Sequence, residues 1–572
     1  MEFDVAIIGG GPSGATVGAL LKKYDAKLRV AIFERERFPR DHIGESLLPP
    51  ISRILVEMGV WDKIESAGFP IKIGATFRWG RRPELWNFDF YNPAEFCDEP
   101  RPAPFTGQRT ATAFQVDRSV YDTILLDHAE ELGCEVFQAT KVAEVSAEGD
   151  SITALRLENG ESVTAKYFVD ASGNSGILRR ALDVRCEYPS TLRNIAIYDY
   201  WQNADWAVKI GVGGTRIQVL TVGYGWLWFI PLGPTRTSIG LVVPADYYKK
   251  SGKTPADLYA DAIQREPILG ELLQHAQSEG KLQTTRDWSF LAARSAGANW
   301  FLVGECAGFA DPILSAGVTM AHTAAREAAC TILELDRGKL DASWLKDEFQ
   351  RRQAQRIRTH IRFGDYWYTA NAQLVDLKEF TTQLAKDIGL ELSPESAWDW
   401  IARGGFIDED LKVGAGGYSL ASIKATAEML AELDTRSPFK SYNVFRLDLA
   451  GASWKDRASY REGKIAVTPC YVRGERVLPI ERDIEAIVTV LERYSDIMEI
   501  VDVFRGALAE LFDDEQIVET NFQAGITILE AMVADDWIKC SYNPGRPLWT
   551  PARWSDRPIA WEHDKPSGRV AL

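Results

Sequence analysis

Apolar positions are most densely grouped at the start of the chain. Phe3-Asp4-Val5-Ala6-Ile7-Ile8 is a short apolar run of the kind that forms a buried strand, and small and apolar residues through Leu20-Leu21 predict a helix after it. A second run, Leu28 to Phe33, ends in Glu34. Strand, turn, helix and strand in that order predict a parallel βαβ unit. Ile51 to Met58 has helical spacing, and Ile71 to Gly80 alternates so that Lys72, Gly74, Thr76 and Arg78 share one face of a strand. From Arg81 to Gln115 the pattern fades into a stretch rich in proline and aromatics, read either as the lining of a pocket or as an aromatic cluster that packs loops.

Regular patterning returns with a helix from Tyr121 to Leu132. Strands follow at Glu135–Phe137 and Lys141–Val145, and a hairpin turns at Asn159-Gly160. Tyr167 to Gly173 is a buried strand running into a small-residue turn, a shape suited to the edge of a cofactor. Residues 185 to 285 lack βαβ alternation and carry aromatic strands, among them Ile217–Gly223 and Gly225-Trp226-Leu227-Trp228-Phe229-Ile230-Pro231, where period two puts both tryptophans on one face. The α/β pattern closes with the strand before Gly304-Glu305, the turn at Asp311 to Val318, and a helix through Ala329. Residues 481 to 536 are helical in period and suggest a small, winged-helix-like domain.

The turn after the first strand supplies the first chemistry. Gly9-x-Gly11-x-x-Gly14 stands where missing side chains let the backbone approach a pyrophosphate on a helix N-terminus, with Ser13 beside it. Glu34 falls 20 positions after Gly14, where a ribose hydroxyl partner is expected. The competing reading is a tight glycine turn in some other α/β protein. Phe38 to Pro49, with Arg40, His42, Gly44 and Glu45 ahead of a helix, either presents charges to a ligand or caps a surface helix through Ser46. The turns at Gly304-Glu305 and Ala316-Gly317 can offer N–H groups to an anion or a flavin carbonyl. Gly211 to Gly214 is rejected as a nicotinamide loop because Arg216 follows and no helix does.

Composition narrows the partners. A chain of 572 residues is expected to hold two or three domains. The net charge of −16 argues against nucleic acid and anionic membranes. Seven cysteines without CxxC or metal-ligand spacing read as reduced thiols, and no signal peptide or membrane span is visible, so a cytoplasmic location and no metal are expected.

The glycine motif, Glu34, Arg118, and the Gly304-Glu305 strand end with Asp311-Pro312 resemble the para-hydroxybenzoate-hydroxylase-like FAD fold. Within it, Gly44-Glu45-Ser46-Leu47-Leu48-Pro49, the strand of Lys72 through Gly80, and Trp226-x-Trp228-x-Ile230-Pro231 look like the FAD-dependent halogenases, in the branch of the chloramphenicol and chondrochloren halogenases. The resemblance covers roughly residues 1 to 365 firmly and the tail loosely. It implies an α/β fold in which a Rossmann-like FAD domain (about 1–75, 112–182 and 286–335) is interleaved with a mainly antiparallel substrate sheet (about 76–111 and 183–285). Residues 366–572 would form a mostly helical C-terminal domain that covers the substrate entrance, receives a carrier domain or simply closes the structure.

The chemistry implied has two stages. Reduced FAD, supplied by a separate NAD(P)H-dependent flavin reductase, reacts with O2 to a hydroperoxide, and chloride or bromide held at Ala316 and Gly317 attacks it to give hypohalous acid. Lys72, with Glu45, then serves catalysis on an electron-rich phenol or pyrrole, free or tethered to a carrier protein, in secondary metabolism such as antibiotic assembly. Trp226, Trp228, Ile230 and Pro231 would wall the flavin from the substrate. Gly9, Gly11, Ser13, Gly14, Glu34, Arg35, Arg40, Arg118, Asp287, Gly304, Glu305, Asp311, Gly317 and Val318 would hold the cofactor, with Asp287 a candidate for a covalent link. Three departures stand out: Glu305 replaces the usual Asp, Leu314 the catalytic Glu of tryptophan halogenases, and Thr319 the usual His, with His322 one turn on. The alternatives are an FAD monooxygenase or dehydrogenase with Lys72 a surface charge, and a non-catalytic flavoprotein.

Overall fold

A computed structural model describes residues 1–80, 83–207, 213–387, 438–474, 476–480 and 482–549. The chain divides into two compact units, Met1–Gly389 with Tyr460–Ile465, and Leu390–Ser459 with Ala466–Leu572. The expected boundary at 365 lies inside the helix Ala342–Thr369, which belongs wholly to the first unit.

Two sheets carry the first unit. In one, Glu135–Phe137, Val30–Phe33, Glu2–Ile8, Ser162–Asp170 and Trp300–Leu302 run parallel, and Ser151–Leu157 and Val142–Glu148 extend it as an antiparallel meander. Val5 and Ile7 on one face and Ala6 and Ile8 on the other are all buried, as are Val30 and Ile32 with Ala31 and Phe33, as continuous apolar runs require. Helix Pro12–Tyr24 packs on this sheet with Gly317–Arg337. The parallel strands all end at one edge, which brings Gly9, Glu34, Ala171 and Val303 together there. Ligands of open α/β sheets sit outside this carboxyl edge.

The second sheet has nine strands, with Arg193–Gln202, Arg236–Pro244, Gly225–Pro231, Gly214–Val222 and Ile71–Arg78 side by side. The pairings are antiparallel except that of Gly214–Val222 with Ile71–Arg78. Strand Ile71–Arg78 is buried on both faces, so Lys72, Gly74 and Thr76 look into the protein rather than into water. The 81–115 excursion contributes strand Trp86–Asp89 to this sheet.

The second unit has its own core of Phe439, Phe445, Ile487, Phe504, Phe522 and Trp537. Around it stand helices Arg482–Arg493, Ile497–Leu511 and Glu515–Ala534, with short two- and three-stranded sheets. Among the described residues no helix is long and apolar enough to cross a membrane.

Candidate active site

The glycine turn is shaped by backbone contact. A Cβ on Gly9, which sits at φ +103°, would lie 2.4 Å from the Ala171 carbonyl oxygen, and one on Gly14 would lie 1.9 Å from that of Gly9. At Gly11 the first atom met is instead Arg40 Nη2 at 3.4 Å, so the missing side chain leaves room faced by a guanidinium. Helix Pro12–Tyr24 starts at Gly11 with no side-chain cap, which leaves its first N–H groups for an anion. Arg40 lies over the Phe38 ring and 3.3 Å from Asp122. The buried Glu34 accepts Gly10 N–H at 2.7 Å on one oxygen and Glu36 N–H at 2.9 Å on the other, which fixes the carboxylate at the strand end. Arg35 is exposed beside Ser175. Gly304, at φ +60°, leaves the place where a Cβ would come within 2.5 Å of Ser13 Oγ.

Arg118 opens helix Arg118–Glu131 and is held on two sides. It donates to both Asp122 oxygens, at 2.6 and 2.8 Å, and to the carbonyls of Ile43 and Gly44 at 2.7 and 3.1 Å. Arg118 therefore shapes the turn that carries Glu45. That carboxyl is buried and faces the hydroxyls of Tyr200 and Ser238, in good hydrogen-bond geometry with neither. Burial pushes it up to about 7, with those hydroxyls and Arg118 opposing in part. Glu305 is raised for the same reason and also opposed by Arg118.

Trp226 and Trp228 stand on one face of their strand with ring centroids 6.0 Å apart. Trp226 Nε1 donates to Tyr368 Oη at 2.8 Å, and Trp228 Nε1 to Ser238 Oγ at 3.1 Å. Opposite Trp228 in register is Gly240, whose absent side chain leaves the space the indole fills. Asp311 caps the turn Pro312–Leu314 by accepting Ile313 N–H at 2.9 Å. Ser315 then takes φ +55°, and the 21-residue helix Gly317–Arg337 begins at Ala316 without a side-chain cap.

One cavity joins most of these groups. Its walls include Gly9, Gly11, Ser13, Glu34, Arg35 and Arg40 at one end, and Glu45, Arg118, Trp226, Trp228, Ile230, Glu305, Ser315, Gly317 and Val318 elsewhere. Gly14, Gly304, Asp311 and Ala316 act from behind the wall, and Pro231 ends its strand without lining it. The side chain of Asp287 lies outside the described residues; its backbone pairs with Asn194. His322 is wholly buried between Thr16 Oγ1 and Tyr121 Oη, each at 2.8 Å, and burial takes its ring down to about 3, so it packs as a neutral link.

Lys72 is set apart from that wall. It is 1% exposed, its Nζ donates to the Leu47 carbonyl at 3.0 Å and lies 5.3 Å from the Phe90 ring centroid, and burial alone brings the ammonium from 10.5 down to about 7. Leu47 is two residues along from Glu45, so Lys72 touches the turn that carries Glu45.

Sequence reasoning gave no site role to Asp122, Ile217, Val219, Tyr200, Ser238 or Tyr368. The Arg118/Asp122 spacing of four on a helix and the period of two through Ile217 and Val219 were signals for three of them. The other three come from distant strands and a helix end, with no local signature.

The arrangement of glycine loop, strand-end carboxylate and cavity over a carboxyl sheet edge defines a dinucleotide-binding protein. The space at Gly11 beside Arg40, the open helix start and the buried Glu45 without a good partner fit FAD. The tryptophan halogenase family model matches residues 4–98 and 93–376, and the chain belongs to that family as a flavin-dependent halogenase that uses FAD, O2 and halide. It is 34% identical over 346 residues to the 1H-pyrrole-2-carbonyl peptidyl-carrier-protein chlorinase of Pseudomonas fluorescens, covering 58% of this chain and 76% of that one. It is 30% identical to the tryptophan 2-halogenase of Chondromyces crocatus, over 61% of this chain and 64% of that one. Among solved structures it resembles the myxobacterial chondrochloren halogenase CndH at 27% identity and TM-score 0.58, covering 76% and 98% of the two chains. The flavin-dependent halogenase CmlS shares the fold at 24% identity, TM-score 0.71, and 97% and 99% coverage.

Proposed function

We propose that this halogenase transfers an electrophilic halogen through Lys72 to an electron-rich phenol or pyrrole, presented free or on a carrier protein. The observation that carries this reading is the burial of Lys72 with an ammonium brought to about 7, so that a neutral amine is present at physiological pH. Such an amine can hydrogen-bond hypohalous acid or take its halogen. Reduced FAD, delivered by a separate reductase, supplies the electrons with which O2 becomes an oxidant of halide. The chain's residues do the rest. N–H groups at Ala316-Gly317 hold the anion at the start of a long helix. Trp226 and Trp228 exclude the substrate from the flavin, and the turn of Glu45 to Leu47 spans from the cavity wall to Lys72. Glu45, raised to about 7, can hold or release a proton at the cavity.

With Leu314 at the position of the tryptophan enzymes' carboxylate, no base stands there to activate a poor nucleophile, which favours a phenol or pyrrole. The pyrrolyl-carrier substrate named for the Pseudomonas relative makes a tethered pyrrole the first to try. The test supplies purified protein with a flavin reductase, NADH, O2 and bromide or chloride. Halogenated product from wild type, absent in Lys72→Ala with FAD still bound, supports the reading. Hydroxylated product unaffected by Lys72→Ala would sink it.

A further inference from the structure

The tryptophan wall and the turn ahead of helix Gly317–Arg337 are distant in sequence, and a third element joins them. Tyr368, next to last in helix Ala342–Thr369, is 2% exposed. Its oxygen accepts Trp226 Nε1–H at 2.8 Å and Asn194 Nδ2–H at 3.2 Å, and its O–H donates to Asp311 Oδ1 at 3.4 Å. One donor and two acceptor sites are what a phenol has, so the hydroxyl is fully used. The same Asn194 amide reaches Asp311 Oδ2 at 3.2 Å, while Asp311 Oδ1 also takes Ile313 N–H. Trp79 packs edge-on against Tyr368 with centroids 5.8 Å apart, and its Nε1–H, donated to the Trp367 carbonyl at 2.8 Å, pins the helix end.

The consequence is mechanical. Asp311 sets the capped turn Pro312–Leu314, which leads directly into Ser315 and the open helix start, and Tyr368 with Asn194 fixes the plane of that carboxylate. Burial pushes Asp311 up to about 7, the groups opposing this being the Ile313 amide, Asn194 and Tyr368. The carboxyl is therefore only partly ionised near a turn suited to an anion.

We infer that Tyr368 is a positioning residue for halogenation: its hydroxyl ties the Trp226 indole to the Asp311 carboxylate, and so holds the wall and the halide turn in register. The inference rests on the reading that Ala316-Gly317 binds the halide. Tyr368→Phe removes only the hydroxyl. It should raise the KM and Kd for bromide about tenfold, the size of one lost hydrogen bond, while turnover at saturating bromide stays within twofold and FAD retention is unchanged. In the FAD-free protein, ultraviolet resonance Raman should show one indole N–H losing its hydrogen bond, a change absent when Tyr368→Phe is made in a Trp226→Phe background. The double variant should bind bromide no worse than Tyr368→Phe alone, because both changes cut the same link.

Saturable bromide dependence in wild type with an unchanged KM in Tyr368→Phe would overturn the inference and leave the halide turn standing. Loss of FAD and melting temperature in Tyr368→Phe with bromide affinity intact would overturn it too, leaving a purely structural role. Wild type without saturable halide dependence would overturn the halide turn and the inference together.

Discussion

At the scale of the residue, Lys72 sets the balance between stability and chemistry. Its folded value of about 7 lies below its ordinary 10.5 because burial disfavours the charged form. Folding must therefore strip the proton or bury the charge, and the penalty is full below pH 7 and vanishes as pH rises to 10.5. Between pH 7 and 9 wild type should gain about 2 kcal/mol relative to Lys72→Met, read as a diverging pair of urea titration curves. Parallel curves would mean that Lys72 meets water or an unseen partner. Halogenation should rise with an apparent pKa near 7 over the same range. Glu45 has the opposite sign. Burial penalises its carboxylate and raises it from 4.5 to about 7, so the cost to folding is absent below pH 4.5 and grows as pH climbs to 7, and a Glu45→Gln variant should gain stability relative to wild type on going from pH 4.5 to 7. The glycine motif and Glu34 were legible in sequence because a backbone-to-backbone approach admits no side chain, a local constraint that leaves a local trace. The burial of Lys72 left none. Alternation assigned it a face, but that this face is covered as well as the other, with Leu47 and Phe90 against Lys72, depends on segments outside the strand.

At the scale of the element, strand Gly225–Pro231 and its neighbour Arg236–Pro244 form a matched pair. Trp228 lies across from Gly240, and a Cβ there would sit 2.1 Å from the Trp228 ring. Gly240→Ala should force the indole out of its place and break its bond to Ser238, at about 1–3 kcal/mol as for other overpacked cores. We expect a changed near-ultraviolet circular dichroism, and a larger share of the oxygen consumed released as free oxidant instead of halogenated product. Unchanged coupling with a displaced indole would mean that Trp228 is no barrier. The WxWxIP run was readable as one buried face because period two is a property of the strand itself. Its partners Ser238, Tyr368 and Tyr200 were not, since pairing across a sheet and onto a helix end has no fixed spacing in the chain.

At the scale of the molecule, the first compact unit is not a continuous stretch. Residues 460–465 belong to it, although the family match ends at 376. Within that unit Tyr460 is 1% exposed and its ring lies under the Arg352 guanidinium at 4.9 Å. Arg326 donates to the Tyr460 carbonyl at 2.8 Å and Arg337 to that of Gly463 at 2.7 Å. Gly463, at φ +69°, rests flat on the Tyr24 ring, where a Cβ would come within 2.4 Å. A chain stopped after Gly389 would keep every residue assigned to the cavity and lose this segment. It should melt several degrees lower than the full chain, because burying one tyrosine alone contributes about 2 kcal/mol and Arg326 and Arg337 each lose one acceptor while keeping Glu57 and Glu334. Gly463→Val in the full-length chain isolates the cause. If the segment stabilises the first unit, this single change lowers the same calorimetric transition as truncation does. If only truncation lowers it, the stabilisation comes from elsewhere in the removed residues.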